Sequence, residues 1–213
     1  MSKELLTRIL SSFILIPFLF FFIIKGSIFF IFFVLIMILI TLYEWHNLSF
    51  KKIYYFPGLI FILFSFYTFF SLRNYNELSF FLLILIICIS TDIGGYIFGK
   101  ILKGPRLTKI SPNKTYAGMF GGFLLSFLIA ILYLNNLNYL LLEPFNTINI
   151  NTIGLILSIS LISQVGDIII SFFKRKKKIK NTGKIIPGHG GILDRIDGMI
   201  FAFPYAYLLV EFF

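Results

Sequence analysis

Residues 78–98 read LSFFLLILIICISTDIGGYIF, and this stretch decides the fold. From Phe80 to Ile89 nothing is charged, and only at Ser90-Thr91-Asp92 does polarity return. About 20 apolar residues, each rising 1.5 Å, cross the roughly 30 Å hydrocarbon core of a bilayer. A helix on the surface of a soluble domain would carry a polar face opposite its apolar stripe, and this one has none. The stretch predicts a membrane span that turns polar near its C-terminal end. Cys88 lies inside it and is the single cysteine of the chain, so no internal disulfide can form and packing is its expected role.

Working outward, the same kind of run recurs. Spans are predicted at about 9–24, 27–43, 54–72, 78–98, 116–134, 152–173 and 192–213. The chain of 213 residues is 58% hydrophobic and 13% charged, where a soluble domain carries roughly a quarter charged residues. Soluble folds are thereby excluded. The predicted class is all-α: a polytopic integral membrane helical bundle of about seven transmembrane helices. Residues 1–75 form its N-terminal helices, a scaffold or dimer contact, and 76–213 its catalytic part. No soluble domain or internal repeat interrupts it. The 29 Phe, with Ile, Lys and Asn in excess, fit AT-biased codon usage, so single Phe residues carry no functional signal. The first run, after Lys3 and Arg8, resembles a signal peptide, but no small-residue cleavage site follows and the first Ala is Ala117; a retained span is expected.

The formal net charge of +10 would point to nucleic acid in a soluble protein. Here the cations lie in short loops between apolar runs, so topology and anionic lipid headgroups explain them, and no nucleic-acid partner is expected. With the N-terminus inside, only Lys25 and Arg73 of the 19 Lys and Arg fall outside. The positive-inside rule therefore predicts a multi-pass protein of a bacterial-type inner membrane, with its N-terminus and basic loops in the cytoplasm. The Asn-rich segment 135–151 becomes an outer loop.

All Asp residues (Asp92, Asp167, Asp194 and Asp197) then cluster at the cytoplasmic interface. Asp92 stands eight residues before Lys100 and Asp167 seven before Lys174, roughly 10 Å below the basic loops. A carboxylate at that depth is costly unless it is paired, binds a metal or faces a wet cavity. For Asp92, beside Gly94, Gly95 and Tyr96, a close helix contact serves equally well. Asp194 and Asp197 share a helix face and repel unless a cation lies between them or Arg195 folds back. With Asp167 they make an oxygen-rich set suited to Mg²⁺, which takes few protein carboxylates. Helix capping would account for Asp194 alone.

Residues 174–191 read KRKKKIKNTGKIIPGHGG. The lysine run is explained by topology and lipid. Gly188, Gly190 and Gly191 around His189 make a turn whose N–H groups approach an anion closely. His189 could bond a phosphate, move a proton or serve the loop structurally. In the preceding inner loop, Ser111-Pro112 is a plausible helix start, with Lys114 and Thr115 adding a charge and a donor for phosphate. No Walker A loop occurs. Gly118 and Gly122, four apart, predict tight helix packing.

The stretch 171–197, SFFKRKKKIKNTGKIIPGHGGILDRID, resembles the signature of the phosphatidate cytidylyltransferase (CDP-diacylglycerol synthase) family. That pattern runs S-x-x-K-R, four residues, K-D, then P-G-H-G-G-x-x-D-R-x-D. Ser171, Lys174, Arg175, Lys180, Pro187 to Gly191, Asp194, Arg195 and Asp197 all fit. Gly166-Asp167, Asp92 to Gly99 and Ser111 to Thr115 also look like the family's, so the resemblance covers roughly 90–205. Two positions depart: Asn181 stands where the family has Asp, and Ala117 where Glu or Gln is common.

The resemblance implies transfer of a cytidylyl group from CTP to phosphatidic acid in phospholipid biosynthesis, with release of pyrophosphate. It implies Mg²⁺, with a monovalent cation such as K⁺ as a second ion, and a homodimer. Asp167, Asp194 and Asp197 would hold the metal. Lys174, Arg175, His189 and Arg195 would act on the phosphates, and Ser111, Lys114, Thr115, Lys180, Gly190 and Gly191 would help bind the nucleotide. A CTP-dependent polyprenol kinase-like enzyme and a non-catalytic homologue are the alternatives. A CDP-alcohol phosphotransferase is excluded, because no Asp follows Asp197. A transporter would spread polar residues through the membrane depth, and here they sit at one face.

Overall fold

The computed structural model describes residues 17, 19–75, 78–108, 110–112, 114–141, 149–186, 188 and 190–212. A helical segment at 19–25 leads into α1 (Ser27–Ser49), followed by α2 (Tyr55–Asn74), α3 (Leu78–Leu102), α4 (Tyr116–Leu141), α5 (Ile150–Lys176), the single turn α6 (Leu193–Ile196) and α7 (Met199–Phe212). No strand occurs among the described residues. The five helices α1 to α5 are long and apolar enough to cross a membrane, and the chain is a polytopic all-α membrane protein.

The expected seventh span, 192–213, is not one helix. It breaks at Asp197-Gly198 into α6 and the 14-residue α7. Most of the expected first span lies outside the described residues, as do 142–148 of the expected outer loop. Among the described residues the bundle has five long apolar helices and a shorter one.

Neighbouring helices run antiparallel, so the C-terminal ends of α1, α3 and α5 and the N-terminal ends of α2, α4 and α7 share one end of the bundle. The described basic residues gather there, apart from Lys25 and Arg73. Toward the other end, Arg73 donates from Nε to the Ile23 carbonyl at 2.8 Å and lies over the Phe30 ring. Phe30 of α1, Phe69 of α2, Phe81 of α3 and Phe203 of α7 pack ring to ring, with Phe81 lying 4.9 Å from Phe69 and 5.3 Å from Phe203. The buried Phe residues thus serve packing. Other apolar groups face outward: Phe120, Leu124, Leu128 and Leu132 form an exposed stripe on α4 at steps of four, the surface that lipid requires.

The closest helix pair is α3 with α4. A Cβ placed on Gly94 would collide with the Gly121 carbonyl, and one on Gly118 would lie 2.7 Å from the Gly95 carbonyl. The glycines let two backbones approach within reach of each other, as the spacing of Gly118 and Gly122 predicts. A similar approach joins α5 to the chain break: a Cβ on Gly166 would lie 2.8 Å from the Asp197 carbonyl, and one on Gly198 2.9 Å from the Ser163 carbonyl.

Candidate active site

At the basic end, α3, α4, α5 and the residues around α6 line an open cavity of about 390 Å³. Each wall owes its place to local chemistry. The connection between α3 and α4 is tied back on itself by Leu107 N–H to the Lys114 carbonyl at 2.7 Å and by Tyr116 N–H to the Pro105 carbonyl at 3.2 Å. Thr115 accepts the Gly118 N–H at 3.0 Å through its hydroxyl oxygen, an N-cap for α4. The helix therefore starts at Tyr116, not at Ser111-Pro112, which occupy a turn closed by Lys114 N–H to the Ser111 carbonyl at 3.0 Å. Thr115 wins because its side chain reaches the third helical N–H. Lys114 is thereby held at the cavity, where it pairs with Asp167.

The opposite wall is built from charge. Lys174 is buried and donates to Asp194 Oδ1 at 2.8 Å, with Asp197 Oδ2 at 3.7 Å. Asp194 Oδ2 accepts two backbone N–H groups, from Thr182 at 2.8 Å and Gly191 at 3.0 Å. Asp194 thus staples the loop 181–191 onto α6, spending three of its roughly four acceptor positions. The loop is closed by reciprocal bonds between Ile186 and Gly190, and Gly188 and Gly190 take φ of 75° and 95°. Only glycine adopts those angles without strain, which is the physical need behind this glycine-rich turn.

The structure brings Ser111, Lys114, Thr115, Asp167, Lys174, Asp194, Arg195 and Asp197 into the lining of one cavity. Arg175, Lys180, Gly190 and Gly191 do not line it. Arg175 instead bonds the Ile179 carbonyl at 3.0 Å. His189 and Pro187 lie outside the described residues. Among the lining residues that sequence reasoning did not name as site residues are Asp92, Gln164 and Asn181. Asp92 had an available signal, its position near the polar end of an apolar span.

Asp167 and Asp197 lie within hydrogen-bonding reach of each other, and Asp92 adds its charge to theirs. Burial first, then Asp167, pushes the Asp197 carboxyl well above the ordinary carboxylate range, with Lys174 opposing and Asp92 reinforcing. Two adjacent carboxylates with a third facing them need a proton or a cation among them. No three of His, Cys, Asp and Glu chelate a single point among the described residues. Mg²⁺ asks for less: one or two carboxylates, with the remaining positions left to water and substrate phosphates. Asp167 and Asp197 fit that donor set, whereas Asp194 is largely committed to its loop.

Fold and site define a class: a polytopic membrane protein with a cavity of paired lysines and carboxylates at one end of its bundle. The sequence profile of the cytidylyltransferase family matches residues 52–213, and the chain belongs to that family. Among curated relatives, a phosphatidate cytidylyltransferase of Rickettsia felis is 38% identical over 98% of this chain and 93% of its own length. Its counterpart from Rickettsia bellii is 35% identical over 98% of this chain and 91% of its own. One from Bacillus subtilis is 36% identical over 72% of this chain and 56% of its own.

Proposed function

We propose that the chain is a phosphatidate cytidylyltransferase, which converts CTP and phosphatidic acid to CDP-diacylglycerol and pyrophosphate. One observation carries the reading: a cavity of lysines and carboxylates opens at the basic end of a membrane bundle, so a nucleotide triphosphate and a membrane lipid can meet there. In the reaction a phosphate oxygen of phosphatidic acid bonds to the α-phosphorus of CTP. The bond from that phosphorus to the oxygen bridging to the β-phosphate breaks, and pyrophosphate leaves with the electron pair. The attacking oxygen is already anionic, so no strong base is required. The barrier lies in bringing two anions together, and preorganised cations lower it.

Lys114 and Lys174 reach the cavity from opposite walls and supply that charge, with Arg195 at the rim. Ser111 and Thr115 line the Lys114 side and offer hydroxyl donors. Held by Asp167 and Asp197, Mg²⁺ would neutralise phosphate oxygens of the nucleotide. The topology belongs to the same proposal: the basic end faces the cytoplasm of a bacterial-type inner membrane. So does a homodimer, and the mass of the detergent-solubilised particle tests it.

The test is turnover of α-labelled CTP with phosphatidic acid in detergent micelles, with Mg²⁺ or EDTA. Label is expected in chloroform-soluble lipid with Mg²⁺ only, and a loss of about 10²-fold or more in Asp167→Asn or Lys114→Ala. Absence of lipid product from folded protein with any divalent ion overturns the reading. Asn181→Asp then asks whether the departure from the family pattern at this cavity-lining position silenced the chain.

A further inference from the structure

The cavity's loop wall is held from a second side, by a residue far away in sequence. Glu44 on α1 is 1% exposed, and its carboxylate accepts three hydrogen bonds. Oε1 takes the Ile192 N–H at 3.0 Å; Oε2 takes the Leu193 N–H at 2.8 Å and the Thr182 hydroxyl at 2.8 Å. All three donors belong to the segment 182–193. A helix-packing carboxylate would instead bond side chains of neighbouring helices.

The segment is shaped around this carboxylate. A Cβ on Gly183 would lie 2.6 Å from Glu44 Oε1, and one on Gly191 would collide with both carboxylate oxygens. The helix end that carries Glu44 is itself fixed. Trp45 donates from Nε1 to the Tyr55 carbonyl at 3.1 Å and packs against Phe173 of α5 at 5.3 Å. Lys177 just beyond α5 donates to the Asn47 carbonyl. What Glu44 grips is continuous with the cavity: Thr182 follows the lining residue Asn181, and Leu193 precedes Asp194.

Asp194 and Glu44 therefore clasp one loop from two directions. Asp194 binds the N–H groups of Thr182 and Gly191, and Glu44 those of Ile192 and Leu193. We propose that Glu44 is a positioning residue of the active site, through which the N-terminal helix α1 sets the placement of Asn181, Asp194, Arg195 and Asp197. The role of this residue in turnover rests on the cytidylyltransferase reading; its role in ordering the loop does not. The N-terminal helices are then part of the catalytic apparatus and not only scaffold. A carboxylate is needed because two oxygens must accept three donors; an amide keeps one acceptor and turns its NH₂ against a backbone N–H.

Hydrogen–deuterium exchange on the full chain in detergent tests the clasp directly, comparing wild type with Glu44→Gln and Glu44→Asp. In Glu44→Gln, exchange at Ile192 and Leu193 is expected to rise by about tenfold or more while peptides from α3 and α4 stay unchanged. CTP turnover by the same variant is expected to lose about 10²-fold in kcat, the scale of a misplacement near 1 Å, with KM for CTP moving far less. Glu44→Asp keeps the charge on a shorter arm and should recover part of both.

Unchanged exchange at residues 192 and 193, or an equal rise throughout the bundle, overturns the proposal. So does a fall in turnover that merely tracks the folded fraction. Should wild type make no lipid product at all, the cytidylyltransferase reading fails, and the exchange pattern still decides whether Glu44 orders the loop.

Discussion

The two walls of the cavity are built by unlike means. On the α3–α4 side, backbone meets backbone through Gly94, Gly118 and Gly121, and Lys114 is delivered by a hairpin-like connection. On the α5–α7 side, a buried lysine, two aspartates and the N–H groups of a glycine-rich loop hold one another. At Gly94, Gly118 and Gly121 the first wall has no room for an added Cβ, and the second wall rests on its paired charges. The difference teaches where each mutation class should hurt.

Lys174→Met should break the charged wall hardest, because it leaves Asp194 and Asp197 buried without their cation. The expected cost is about 3–5 kcal/mol of stability, with turnover lost, read by thermal unfolding in detergent beside the labelled-CTP assay. Gly118→Leu should wedge the glycine wall apart at about 1–3 kcal/mol. Turnover should fall further than the folded fraction, because Thr115 and Lys114 move with the start of α4.

A third measurement separates the walls by pH. The folded-state pKa of Asp197 lies above its unfolded value, so its stabilisation is complete below the unfolded value near 4 and is lost as pH rises through the folded one. In EDTA, thermal stability should therefore decline over that rise, by about 1.4 kcal/mol for each unit separating the two values. Asp197→Asn should flatten the decline while abolishing turnover, and Gly118→Leu should leave its slope unchanged. The smallest effect is expected at Gly154 of α5, where an added Cβ meets nothing within 4 Å. Gly154→Ala should gain roughly 0.5–1 kcal/mol of helix stability without changing turnover, which marks the crowding at Gly118 as specific.

Much of this was legible in the sequence. Apolar runs of span length, the gathering of cations and aspartates at one end, and the close packing at Gly118 follow from composition and short spacing, while Lys174 and Arg195 were named through the family resemblance. The break at Asp197-Gly198 did not, because hydropathy averages over a two-residue turn inside an apolar run. The start of α4 went to Thr115 over Ser111 on hydrogen-bond geometry that no pattern reports. The backbone partners of Asp194, Thr182 and Gly191, are invisible in a string of letters, so its hold on the loop could not be read there. Glu44 was invisible for a stronger reason: its partners lie 138 to 149 positions away.

Asp92 lies ten residues before the end of α3 at Leu102, and Asp167 nine before the end of α5 at Lys176. At 1.5 Å per residue these two cavity-lining carboxylates are sunk roughly 14 Å beneath the helix ends. That depth decides which substrate must travel. Lifting a phospholipid out of its leaflet exposes its tails at about 0.8 kcal/mol per CH₂, so raising even half of one long acyl chain would cost more than most enzymes gain from binding. On the cytidylyltransferase reading, a recessed open cavity reverses the journey: the freely soluble partner descends to the lipid, and the lipid need only slide sideways at its own level.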